Sequence, residues 1–248
     1  PRSDSGPTER AVALKGVETV PKGLDNARKA AKSGANTPEA KIAEVGQAIV
    51  ALLDEGLPAR QYEPPTEEEA RVVHDLFLIT RKPMFYVCNV KEDQIGSADT
   101  DPLVAKVRAI AESRGAPCVV ISAAIEAEIM QLPVEDRGEF LESLGLEEPG
   151  LHSVIRTGYD MLDLITYFTC GDPEVHAWTI TRGTKAPGAA GKIHTDFERG
   201  FIRAEVIASE DMLALKSEQA VKAAGKMKLE GKEYVVQDGD IMHFRFNV

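Results

Sequence analysis

Met84-Phe85-Tyr86-Val87-Cys88 runs straight into Asn89-Val90-Lys91-Glu92, and the reading of this stretch decides the fold. The apolar run, opened by Pro83, predicts a buried strand ending at Asn89. Asp99-Thr100-Asp101-Pro102 then begins a helix reaching about Ser113, and Pro117-Cys118-Val119-Val120-Ile121 is a second continuous apolar strand. Strand, helix and strand in this order predict parallel pairing through a right-handed crossover. Ligands of such sheets bind beyond the carboxyl ends of the strands, where Asn89 and Ser122 fall.

On the N-terminal side, residues 8–57 carry two helical stretches separated by Lys32-Ser33-Gly34-Ala35-Asn36-Thr37-Pro38. Thr37 suits an N-cap and Pro38 a first turn. The pair reads as a helical hairpin. Its second arm places Ile42, Val45, Ala48, Ile49 and Leu52 at helical spacing and ends near Gly56; Gly16, Pro21 and Gly23 interrupt the first, so a break is expected near Pro21. Thr66 and Glu69 have capping-box spacing ahead of a helix carrying Val72, Val73, Leu76 and Phe77.

On the C-terminal side, helical segments run from Ala124 to about Tyr159, broken near Pro133 and Glu148-Pro149-Gly150. From Tyr167 the texture changes to short strands: Val175 to Ile180, Gly200 to Ile207, Tyr234-Val235-Val236, and Ile241 to Val248. The last alternates cleanly, with Met242, Phe244, Phe246 and Val248 on one face and His243, Arg245 and Asn247 on the other, fed by the turn Asp238-Gly239-Asp240.

Composition narrows the classes. With 43% hydrophobic and 28% charged residues, the 248-residue chain is neither a disordered nor a membrane sequence, and it is long enough for two or three compact units. No stretch predicts a membrane span and no secretion signal opens the chain, so a cytoplasmic location is expected. Cys88, Cys118 and Cys170 form no Cys-x-x-Cys pair and read as buried thiols, with no metal site implied. The net charge of −11 is uneven: residues 166–248 hold 12 acidic and 11 basic side chains, leaving 28 and 18 before them. RNA contact is therefore expected only in the last third, and Lys192, Arg199, Arg203, Lys226, Lys228 and Arg245 are its candidates.

In P-loop GTPases the corner after the corresponding strand is Asn-Lys-x-Asp, whose aspartate accepts both N–H groups of the guanine edge while the asparagine ties the loop to the purine. Here the acid is Glu92, one methylene longer, so paired acceptance from guanine weakens; Val90 replaces the lysine and offers the base an apolar surface. Ser122 and Ala123, after the next strand, match the loop whose backbone meets the purine edge. A Gly-x-x-x-x-Gly-Lys-[Ser/Thr] loop, which holds the phosphates and their magnesium, does not occur in these residues. His194-x-Asp196 reads as a structural turn in which Asp196 caps backbone N–H groups, and Glu126 and Glu128 as acids favouring a helix start.

Asn89-Val90-Lys91-Glu92, Ser122 to Glu128, Leu144 to Leu151 and Gly191 to Glu205 closely resemble the Obg-like ATPases of the YchF subfamily, over about Val17 to Val248. The resemblance implies an α/β plus α+β chain: a coiled-coil-like helical hairpin over 1–63, the C-terminal half of a P-loop nucleotide-binding domain over 64–165, and a β-grasp TGS domain over 166–248. It also implies ATP preferred over GTP, hydrolysis to ADP, and association with ribosomes or RNA. Asn89, Val90, Glu92, Ser122 and Ala123 would hold the base. The family's catalytic residues and magnesium ligand precede residue 1, so no catalytic residue is carried over, and this chain alone is expected to be inactive. The alternative is a non-enzymatic RNA- or protein-binding adaptor built from the hairpin and the TGS domain.

Overall fold

The computed structural model describes Val20, residues 38–171 and residues 174–247, in two compact units, Pro1–Glu148 and Pro149–Val248. The break expected near Pro21 and the Thr37 cap lie outside the described residues.

In the first unit, helix α1 (Pro38–Asp54) buries Val45, Ile49 and Leu53 along one stripe, with Ala48 and Leu52 half-buried beside it. The stripe meets Val20, Ala59, Leu78 and Val73 of helix α2 (Glu67–Asp75). Each of its larger side chains contributes about 1.5–3 kcal/mol through removal from water. Gly56, at φ +78, ends α1 while the Leu57 N–H donates back to the Leu52 carbonyl at 2.9 Å. Thr66 caps α2 as its spacing predicts, its hydroxyl accepting from the Glu69 N–H at 3.3 Å. Phe77, expected inside that helix, lies beyond it at φ +48 and is 77% exposed. The reversal there turns Leu78 into the core instead.

Strands β1 (Tyr86–Asn89) and β2 (Cys118–Ile121) pair in parallel with Cys88 opposite Val120 and Asn89 opposite Ile121. The fully buried strand expected here is only partly so. Cys88 is covered, but Val87 is 44% exposed, because the described sheet has two strands and α3 (Pro102–Ser113) packs against both. α3 starts later than Asp99: residues Glu92–Thr100 form 3-10 turns, and the Asp101 carboxylate caps α3 by accepting from the N–H groups of Leu103 and Val104 at 2.7 and 3.2 Å. Helices α4 (Ala123–Gln131) and α5 (Arg137–Ser143) bury Ile125, Ile129 and Leu141 together.

The second unit opens with α6 (Gly150–Met161) and is built on a five-stranded sheet of order β4-β3-β7-β5-β6. Its strands are β3 (Leu164–Cys170), β4 (Val175–Thr181), β5 (Phe201–Ala208), β6 (Lys228–Glu230) and β7 (Asp240–Phe246). All pair antiparallel except β3 with β7, parallel with Phe168 opposite Ile241. Helix α7 (Ala186–Ile193) lies on one face through Ala186, Ala189 and Ala190, all fully buried, so its backbone comes close enough for the Tyr167 hydroxyl to donate to the Ala189 carbonyl at 2.8 Å. Helix α8 (Thr195–Arg199) follows it. Helices α9 (Ser209–Leu215) and α10 (Glu218–Ala223) supply Met212, Leu215 and Val221 to a second cluster with Ile207 and Ile241.

Three expectations are corrected here. Residues 234–236 are not a strand: a single bridge joins Val235 to Lys185, flanked by bonds from Ala186 N–H to the Tyr234 carbonyl and from Val236 N–H to the Thr184 carbonyl. β3 begins at Leu164, ahead of Tyr167, where Asp163 at φ +55 ends the preceding helical segment. At the α7–α8 junction the cap is His194, whose Nδ1 accepts from the Asp196 N–H at 3.2 Å, and Asp196 lies within α8.

Candidate functional site

The two strand ends of the first unit come together at one corner. Strand pairing extends one residue past β1, the Val90 N–H donating to the Ile121 carbonyl at 2.9 Å. Immediately beside it the Asn89 side-chain oxygen accepts from the Ala123 N–H at 3.0 Å, so one amide ties the loop after β1 to the first turn of α4. Beyond Val90 the chain is held by Gln94, whose Oε1 accepts from the Lys91 N–H and whose amide donates to Asp101, the cap of α3. The loop is thus anchored at both ends to secondary structure.

A cavity of about 480 Å³ opens at this corner, lined by Asn89, Val90, Lys91, Glu92, Asp93 and Ala124. This is the size range of a site for a small heterocyclic ligand. Val90 is half-buried, whereas Glu92 and Ala123 stand exposed at the rim. Ser122 does not face solvent: it is 2% exposed, and its hydroxyl has no hydrogen-bond partner among the described residues. A buried unpaired hydroxyl is costly, so its presence beside the loop is a feature that spacing alone did not reveal. Underneath, the sulfurs of Cys88 and Cys118 lie 3.6 Å apart as free thiols, and burial pushes the Cys88 thiol up to about 11, with its contact to Cys118 adding to the rise.

What the corner can do chemically is bind a flat, polar-edged ring. Val90 offers an apolar face, Glu92 an acceptor, and the Asn89 amide nitrogen a donor whose position is fixed by the bond its oxygen accepts from the Ala123 N–H. No nucleophile paired with a base lies there. Among the described residues no three His, Cys, Asp or Glu side chains converge to hold a metal ion.

The basic residues of the second unit are scattered by comparison. Arg203 and Arg245 stand directly opposite each other on β5 and β7, and Arg245 also donates to Glu205. Lys226 is held by Asp211 beside β6, Lys228 is exposed on β6, and Lys192 and Arg199 are exposed on α7 and α8. A larger cavity, about 610 Å³, lies between α6 and the sheet, with Phe168, Leu164, Ile155 and Tyr159 in its wall.

Comparison with known proteins identifies relatives of the chain. The family profile YchF-GTPase_C, described as a protein of unknown function (DUF933), matches residues 164–247. The chain is 45% identical over all 248 residues to the "Ribosome-binding ATPase YchF" of Escherichia coli O157:H7 and spans 67% of that protein. It is 46% identical over 235 residues to the protein of the same name from Bacillus subtilis, spanning 64% of it. The structure of the Schizosaccharomyces pombe YchF GTPase superposes with a TM-score of 0.82 at 36% identity, covering 96% of this chain and 64% of that one.

Proposed function

The chain belongs to the YchF family of Obg-like ATPases, and from that premise we propose that it is the base-reading and partner-binding part of a ribosome-associated ATPase switch that takes ATP in preference to GTP and yields ADP. The observation that carries this reading is the bond from the Ala123 N–H to the Asn89 side chain, which assembles the two loops into one edge. Asn89, Val90 and Glu92 would then line the adenine, with Ala123 held beside them by Asn89 and Ser122 buried behind the loop, out of reach of the base. Glu92 cannot place both carboxylate oxygens against the paired N–H groups of guanine without moving the loop, and that removes the main reason to select GTP.

Reactions of this class depend on electrostatic positioning of the phosphates, which a P-loop and its magnesium supply. The 248 residues contain no such motif, so as a polypeptide by themselves they hold the base and do not turn over. The domain reading is a hairpin (1–63), half a nucleotide domain (64–165) and a β-grasp TGS domain (166–248); the mixed sheet packed on α7 supports the last of these, and the first arm of the hairpin lies outside the described residues. Ribosomal RNA would meet the second unit at Lys192, Arg199, Arg203, Lys226, Lys228 and Arg245. A cytoplasmic location accords with a ribosomal partner, and no described helix is long and apolar enough to cross a membrane.

Binding of ATP to the chain and to its Asn89→Ala variant, followed by isothermal titration, tests the reading. Loss of ATP binding in the variant is expected, and equal binding by the two proteins contradicts it.

A further inference from the structure

β4 is an edge strand among the described residues, and its outward backbone is unpaired at Ala177 and Thr179, while the outward Thr181 carbonyl accepts from Thr184. The Arg182 N–H donates to the Asp163 carbonyl and the Gly171 N–H to the Glu174 carbonyl, which fixes the phase of the β3–β4 ladder. Residues 176, 178 and 180 therefore bond to β3, while the N–H and C=O groups of Ala177 and Thr179 point away from the sheet. Natural edges are blunted by lysine, proline, bulges or brevity. β6, the opposite edge, is three residues long and begins with Lys228, whereas β4 is seven residues long, Val-His-Ala-Trp-Thr-Ile-Thr, with no charge, proline or bulge.

The open edge is also concave. Ala177 through Thr181 line a groove of about 550 Å³ whose other wall is α7, at Gly188 and Lys192. Gly188 contributes no side chain to that wall, leaving room for a second backbone. Residues 175–193 contain Arg182, Lys185 and Lys192 and no acid, in a chain of net charge −11, and Glu174 just before them faces His176 at 4.0 Å. Arg182 and Lys185 sit in exposed pairs with Asp163 and Glu233, which cost little to exchange, and Lys192 has no acidic partner among the described residues.

Unpaired strand backbone is satisfied by another strand, and a basic rim selects acidic flanks. We propose that the groove between β4 and α7 docks an extended, acid-flanked segment of a partner polypeptide, which adds to β4 as a sixth strand. The inference is independent of the nucleotide site, which lies in the other unit.

The test uses the full 248-residue chain and a capped peptide, Asp-Asp-Val-Ile-Val-Ile-Asp-Asp-Glu, with amide hydrogen exchange read by NMR. Saturable binding that protects the Ala177 and Thr179 amides is expected. Lys192→Glu should weaken it about fivefold, and Ala177→Pro, which removes an outward N–H only, about tenfold. A peptide with alternate N-methylated amides should fail to bind, and this control leaves the protein unchanged should the proline variant not fold. Absence of binding, or binding indifferent to N-methylation, overturns the proposal. So does equal protection by oligouridylate, which would make the edge an RNA face, or concentration-dependent dimerisation through β4, which would make the occupant a second copy.

Discussion

The side chain of Asn89 accepts a hydrogen bond from the backbone of Ala123, 34 residues away, at 3.0 Å. A single amide thereby connects the loop after β1 to the start of α4, and the candidate base site depends on it. Asn89→Ala should lower the stability of the chain by about 1 kcal/mol, the net worth of one such bond. Urea denaturation measures this, and an unchanged midpoint would mean that the loops hold together without it.

Ser122 presents the opposite case. Its hydroxyl is buried with no partner among the described residues, so Ser122→Ala should raise stability by up to about 1 kcal/mol while leaving the strand ends in place. A destabilised variant in the same denaturation experiment would show that the hydroxyl has a partner after all.

In the second unit, the Asp240 carboxylate, 5% exposed, accepts from the Tyr234 hydroxyl at 2.7 Å and the Gln237 N–H at 2.9 Å. Asp240→Ala leaves both donors unpaired and should cost about 2–3 kcal/mol. Burial, and then the bond to Asp240, hold the Tyr234 phenol well above its ordinary range, and burial does the same for Tyr167. A phenol whose folded pKa is raised contributes stability that is fully present below the unfolded value of 10.0 and is lost as pH climbs toward the folded one. Stability should therefore be insensitive to these two groups at neutral pH and fall above about pH 10. Ultraviolet titration of tyrosinate should show them ionising together with unfolding; ionisation ahead of unfolding would contradict the assignment.

Gly200 is needed for close approach rather than for an unusual backbone angle. A Cβ there would lie 2.2 Å from the Asn247 carbonyl oxygen. Gly200→Ala should force the end of β7 away from β5 and cost about 1–3 kcal/mol. Thermal melting checks this, and a variant as stable as the parent would refute it.

Much of the fold of this corner was legible because its signals are local. Apolar runs closed by Asn89 and Ser122, with a helix between them, leave little choice of topology, and Thr66 with Glu69 reads directly as a cap. The failures have physical causes. Both faces of β3 are covered, Ile165 and Tyr167 on one side and Phe168 on the other, so no alternation marked it as a strand. Val235 and Val236 have strand composition, but their neighbours use the backbone to close a loop onto α7. Phe77 matched helical spacing, yet burying Leu78 outweighed continuing the helix. The orphan hydroxyl of Ser122 and the open edge of β4 depend on which groups find partners in three dimensions, and residue order does not carry that information.

The most direct test of the account is the base preference of the corner itself. ATP and GTP would be titrated separately into isotopically labelled chain, wild type and Glu92→Asp, following the amide resonances of Val90 and Ala123. ATP should move both resonances in the wild type at lower concentration than GTP, and Glu92→Asp should shift the preference toward GTP. Tighter binding of GTP by the wild type, or no movement of either resonance with either nucleotide, would contradict the claim that this corner reads an adenine base.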